Sequence, residues 1–148
     1  MVEPEFVPDP LLVAVRRLGE VLDRFDDDVA RSLGVHRSDL RAMHLLEHGP
    51  VTAGAIASHL DLTSGSVTAL IARLVKAGLV TRTVDGNDRR VANVALRREA
   101  WQRLAAVYGP AGQRVTEYST TMNPRRRNET VRALHDIANH LDALRENH

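Results

Sequence analysis

Hydrophobic positions fall into two periods along this chain, and their alternation predicts the elements. Leu11, Val15, Leu18, Leu22, Phe25 and Val29 recur at steps of four and three, one apolar stripe on a single long helix over residues 9–34 that ends near Gly34. A seam that narrow calls for another helix to cover it. Leu40, Met43 and Leu46 continue the pattern in a second helix, with Ser38 as its N-cap and Gly49-Pro50 as its stop. Thr52 caps a short third helix that buries Ile56 and Leu60. Asp61-Leu62 makes a tight connection, and Thr63 or Ser64 caps a fourth helix with Val67, Leu70, Ile71 and Leu74 inward, ending at Gly78.

The period then changes to two. Val80–Val84 and Val91–Leu96 are rich in β-branched residues and flank an Asp-Gly-containing turn of about four to six residues, the pattern of a β-hairpin. Beyond it, Leu104, Tyr108, Ala111, Val115 and Tyr118 step again by four and three, and Gly109-Pro110 is expected to kink or split that helix. Asn123-Pro124 reads as a cap followed by proline at the first helical position. It opens a last helix with Val131, Leu134, Ile137 or Ala138, Leu141 and Leu144 on one side. The expected fold is mainly α with a small β-hairpin.

Composition narrows the function classes. The 148 residues suit one globular domain. The acidic, Pro-rich opening MVEPEFVPDP does not resemble a secretory signal, and no apolar run is long enough to span a membrane, so the sequence reads as cytoplasmic with no membrane partner. Without cysteine there is no disulfide framework, thiolate metal site or thiol switch. The net charge of +1 hides an uneven distribution. Residues 1–61 carry 6 basic and 11 acidic side chains (net −5), residues 62–98 carry 7 and 2 (net +5), and residues 99–148 carry 7 and 6 (net +1). A positive middle segment suits contact with an anionic polymer.

Two short helices joined by a tight turn and followed by a hairpin make a winged helix-turn-helix, and the excess positive charge falls on its second helix and wing. The side chains expected at DNA are Thr63, Ser64, Ser66, Thr68 and Arg73 on the fourth helix, Arg82 on the first wing strand, and Arg89 and Arg90 at the tip. Arg90 is the favoured groove-reaching residue, because alternate strand residues face opposite sides and only one of the pair can point at DNA. Asp88 supports it by holding a guanidinium in one rotamer. Arg82 has a second reading, an ion pair with an acid on the neighbouring strand.

The stretch VTAGAIASHLDLTSGSVTALIARLVKAGLVTRTVDGNDRRVANVAL resembles the winged-helix core of the MarR family of bacterial transcription regulators, over roughly residues 38–96. The match rests on the turn into the fourth helix, Leu74 with Gly78-Leu79-Val80, Arg82 and Asp88-Arg89-Arg90. The resemblance implies a single MarR-like domain over 1–148, with residues 9–34 and 98–148 as dimerisation helices. It implies a homodimer that binds a pseudo-palindromic double-stranded DNA operator and represses until a small apolar or aromatic ligand releases it; Met43, Leu46, Trp101 and Tyr108 are the candidate ligand-pocket residues. Two departures stand out: Ala69 replaces a residue that is basic in many relatives, and Leu96-Arg97-Arg98-Glu99-Ala100 replaces the usual Leu-Thr after the wing.

Other function classes are weaker. His44-Leu45-Leu46-Glu47-His48 fits an inverted zinc-peptidase pattern on one helix face, but a catalytic zinc needs a third ligand and a cleft. No phosphate loop, nucleophile elbow or carboxylate pair supports an enzyme, so no catalytic residue, metal or cofactor is expected. The alternatives are a winged-helix protein-interaction module or a zinc site on His44 and His48.

Overall fold

The computed structural model describes residues 7–84 and 92–146. Helix α1 spans Pro10–Leu33, α2 Arg37–Leu46, α3 Ala53–Leu60, α4 Ser64–Lys76, α5 Arg98–Thr120 and α6 Pro124–Glu146. Three short strands, β1 Val51–Thr52, β2 Val80–Val84 and β3 Ala92–Leu96, form one antiparallel sheet in the order β1-β3-β2. The packing resolves into two compact units, one up to Leu104 and one from Ala105 onward.

In the first unit, α2, α3, α4 and the sheet share a core. Leu40, Met43, Leu46, Ile56, Leu70, Ile71, Leu74, Leu79, Val80 and Val94 are fully buried in it. The inward faces are those that the apolar spacing predicts, since residues three and four apart share one helix face. Two helices, a tight turn and a hairpin therefore stand in the predicted order, and the fold is a winged helix.

The turn between α3 and α4 is built by Asp61 in the left-handed conformation (φ 55°), whose amide bonds back to the Ser58 carbonyl at 3.4 Å. Thr52 caps α3 by accepting from the Ala55 amide at 3.1 Å, and Thr63 caps α4 by accepting from the Ser66 amide at 3.2 Å. Both hydroxyls satisfy amides that a helix start leaves unpaired.

Ser38 is not the N-cap of α2. The cap position is His36, and Asp39, three residues on, accepts the His36 amide at 3.1 Å. A carboxylate in the first turn reaches back to the orphan amide, which Ser38, already inside the helix, cannot do. Strand β1 was not anticipated: Val51 pairs with Val94 and Thr52 with Asn93. Gly109-Pro110 does not split α5, which runs through Pro110 from Arg98 to Thr120. Proline removes a single amide donor, and the turns on either side keep theirs.

Most of α1 contributes little to this core. Val29, Ala30 and Leu33 are its buried residues, whereas Leu11, Leu12, Val13, Leu18, Val21 and Leu22 are exposed. Arg37 fastens its C-terminal part to α2. The guanidinium donates to the Asp23 carbonyl (2.7 Å) and to the carboxylates of Asp27 (2.9 Å) and Asp23 (3.0 Å), and lies 3.8 Å from that of Asp26. Burial pulls its pKa down, but the hydrogen bond to Asp27 and the charges of Asp23, Asp27 and Asp26 reverse this and leave it above its ordinary value.

In the second unit, Asn123 caps α6 by accepting from the Arg126 amide at 2.8 Å, with Pro124 at the first helical position as expected. Helix α6 buries no residue: Val131, Leu134, Leu141 and Leu144 all face outward. No helix among the described residues is long and apolar enough to cross a membrane.

Candidate nucleic-acid interface

Opposite its buried stripe of Val67, Leu70, Ile71 and Leu74, α4 turns one face outward. With about 100° between successive residues, Gly65, Ala69, Ala72 and Lys76 fall at the centre of that face. All four are exposed. Ser64 and Thr68 flank this line on one side, Ser66 and Arg73 on the other, and these four are exposed as well. The predicted residues of α4 are thus brought together on one surface, but as its margins.

Several of their polar groups are already engaged. The Thr63 hydroxyl donates to Ser66 Oγ at 2.9 Å while accepting the Ser66 amide. The Thr68 hydroxyl donates to the Ser64 carbonyl at 2.9 Å. Arg73 donates from Nη2 to Asp39 Oδ1 at 2.7 Å and from Nε to Asp39 Oδ2 at 3.4 Å. The hydrogen bond and charge of Asp39 raise the Arg73 pKa, with partial desolvation opposing. Asp39 is only 2% exposed, the one charged residue buried among the described residues, and it was missed by sequence reasoning. Its partner lies 34 positions away on another helix, beyond the reach of any local pattern.

The hairpin is in register. Val80 pairs with Leu96, Arg82 with Val94 and Val84 with Ala92. Strand β2 leaves the core after Val80, and residues Thr81 to Val84 are exposed. Its base is closed by the Arg97 amide donating to the Leu79 carbonyl at 2.9 Å. Arg82 is therefore carried out on an exposed strand, and its partner strand Ala92–Leu96 contains no acidic residue. Asp88, Arg89 and Arg90 lie outside the described residues.

The four candidate ligand-pocket residues differ in burial within their own units. Met43 and Leu46 are sealed into the core, which accounts for their spacing by packing alone. Trp101, on α5, is 43% exposed, and Tyr108 is half-buried farther along the same helix. The zinc-peptidase spacing does not lie on one helix, because α2 ends at Leu46 and the His48 amide bonds to the Leu45 carbonyl in the turn beyond. Among the described residues no three His, Asp or Glu side chains gather as a metal site.

Residues 33–91 match the model of the MarR family. The HTH-type transcriptional regulator YcgE of Bacillus subtilis is 46% identical over 76 residues, which cover 51% of this chain and 49% of that protein; the chain thus matches about half the length of this curated relative. Among solved structures, RV1404 from Mycobacterium tuberculosis superposes with a TM-score of 0.72 at 20% identity, covering 94% of this chain and 97% of that one. A mutant of S. aureus MepR bound to an oligodeoxyribonucleotide superposes with a TM-score of 0.62 at 17% identity (90% and 99% covered). NadR in complex with 4-hydroxyphenylacetate does so with 0.66 at 20% identity (95% and 97%). At these identities the structural likeness establishes the fold.

Proposed function

The winged-helix core of this chain belongs to the MarR family, and from that premise we propose that the protein is a sequence-specific, double-stranded-DNA-binding transcription regulator. The observation that carries the reading is the outward face of α4 standing beside a hairpin that carries Arg82 away from the core, both within the segment of net charge +5. A helix of this kind fits the major groove while the wing reaches the backbone or the adjacent minor groove. On this reading Ser64, Ser66, Thr68 and Arg73 line the groove, Thr63 fixes the first turn, and Arg82, Arg89 and Arg90 reach phosphate or groove with Asp88 in support.

The protein acts as a homodimeric repressor on a pseudo-palindromic operator. Exposed apolar stripes on α1 and α6 support the dimer, since stripes this regular are rarely left to water. Release by a small apolar or aromatic ligand is the further part of the proposal, motivated by a similar fold that holds 4-hydroxyphenylacetate. By linkage, such a ligand weakens DNA binding by favouring a dimer geometry with the wrong helix spacing.

A mobility-shift titration with the duplex upstream of the protein's own coding sequence, followed by selection from fragmented genomic DNA, tests the proposal. A retained fragment that competes with itself and not with a scrambled duplex is expected. Absence of any selected fragment at low salt overturns the reading.

A further inference from the structure

The hydrogen bonds at the start of α4 bear on what that helix can read. Side chains that distinguish guanine or adenine in the major groove do so with paired donors and acceptors, chiefly Arg, Lys, Asn and Gln. Helix α4, SGSVTALIARLVK, has no Asn or Gln. Its arginine already commits Nε and Nη2 to the Asp39 carboxylate. Its lysine is the last helical residue, about 18 Å along the axis from Ser64, whereas recognition helices contact bases mainly with their N-terminal residues.

Three of the four hydroxyls at the start of α4 are engaged as well, Ser64 being the exception. Thr63 and Ser66 are tied to each other, and the Thr68 Oγ1 proton goes to the Ser64 carbonyl. With its oxygen fixed on the backbone, Thr68 offers Cγ2 as its other heavy-atom substituent. Beside it, at the centre of the exposed face, stand the Cβ methyls of Ala69 and Ala72. Thymine is the base that meets methyl groups in the major groove with a methyl of its own.

We infer that α4 discriminates bases chiefly by apolar contact with thymine C5-methyl groups, through Thr68 Cγ2, Ala69 and Ala72. This rests on the DNA-binding reading above and specifies its target: half-sites with thymines beneath the middle of α4. The charged groups at the helix end and on the wing then supply affinity without base identity, since phosphate contacts position the protein and carry no sequence information.

The test uses the selected genomic duplex and the full chain. Thymines within the half-sites are replaced by deoxyuridine, which deletes only the C5-methyl and keeps the base pair; a control duplex carries the same change in its flanks. Each contacted methyl should contribute about fourfold in affinity, the value of one buried methylene-sized group. The half-site duplex should bind more weakly by that factor per contact, the flank control should be unchanged, and the salt slope should be the same for both. Thr68→Ser, which keeps the hydroxyl and removes Cγ2, should weaken binding to the thymine duplex and shrink the thymine–uracil difference at one position in each half-site. Wild-type protein that binds half-site uracil and thymine duplexes equally overturns the inference, as does a thymine–uracil difference that Thr68→Ser, Ala69→Gly and Ala72→Gly all leave intact at every position. Either result leaves the DNA-binding reading standing, whereas failure to select any duplex overturns that reading itself.

Discussion

Arg73 Nη2 on α4 lies 2.7 Å from Oδ1 of the buried Asp39 on α2, so a carboxylate within the core anchors a cation at the edge of the proposed DNA-facing surface. The arginine side chain remains 44% exposed, and the Asp39 carboxylate also accepts the His36 amide. Removing Arg73 leaves the charge of Asp39 buried and without its cation, whereas removing Asp39 leaves a cation with access to water. Arg73→Ala is therefore expected to destabilise the fold more than Asp39→Asn, whose amide oxygen can still accept from His36. Asp39→Ala, which also abolishes that capping bond, should cost about 0.5–2 kcal/mol from the cap alone. Urea unfolding of the three variants checks the order; Asp39→Asn as the most destabilising would contradict it.

Leu18 and Leu141 are 46% and 53% exposed. Because neither is sealed within its own unit, Leu18→Glu or Leu141→Glu should leave the helix content intact while converting dimers to monomers. Sedimentation velocity at micromolar concentration, alongside circular dichroism, separates that outcome from unfolding. A wild-type chain that sediments as a monomer contradicts the dimer.

Asp61 turns the chain between α3 and α4 at φ 55°, a region that costs an ordinary L-residue about 1–2 kcal/mol and that Asp, Asn and Gly tolerate best. Asp61→Asn or Asp61→Gly should retain stability. Asp61→Val should lose about 1–2 kcal/mol and move α4 relative to α3, reducing DNA affinity beyond the stability loss. Thermal unfolding and duplex titration on the same samples measure both effects.

Strand β2 ends, among the described residues, at Val84 and its partner β3 begins at Ala92, which brackets Arg89 and Arg90 with a registered ladder. Arg90→Ala should cost roughly 1–3 kcal/mol of operator binding, and Asp88→Ala less, through lost orientation. Folding and dimerisation should be unaffected. Wild-type affinity in Arg90→Ala together with weak binding in Arg89→Ala would reverse the assignment of the strand face.

Arg37 is predicted to matter for the shape of the first unit rather than for DNA contact. Arg37→Ala leaves the neighbouring carboxylates of Asp23, Asp26 and Asp27 without that cation and removes the polar tie between α1 and α2, at a cost of about 1–2 kcal/mol after solvent screening. Chemical unfolding checks it, and the loss should shrink at high salt.

Legibility in the sequence followed the range of the interactions. The stripe at Val67, Leu70, Ile71 and Leu74, the caps at Thr52 and Asn123, the cap of α4 to within Thr63 or Ser64, and the stop at Gly34 were all readable, because each is decided within about one helical turn. Strand β1 was not, since two residues have no period; Val51 and Thr52 become a strand through Val94 and Asn93, more than forty positions away. The exposed face of α4 was read by its polar residues, yet the same periodicity that located the core places Ala69 and Ala72 at its centre. The Asp39 anchor could not be read at all, because a lone acidic residue in the first turn of a helix also has an ordinary local role, accepting the His36 amide.

The most direct test of the account is the salt dependence of binding to the selected duplex, compared with a scrambled duplex of the same length. A dimer that neutralises about six to ten phosphates should show log affinity falling against log salt with a slope of about −5 to −9, and should prefer the selected duplex by about a thousandfold or more at physiological salt. A slope near zero, or equal affinity for the two duplexes throughout, would contradict a sequence-specific DNA-binding function for α4 and its wing.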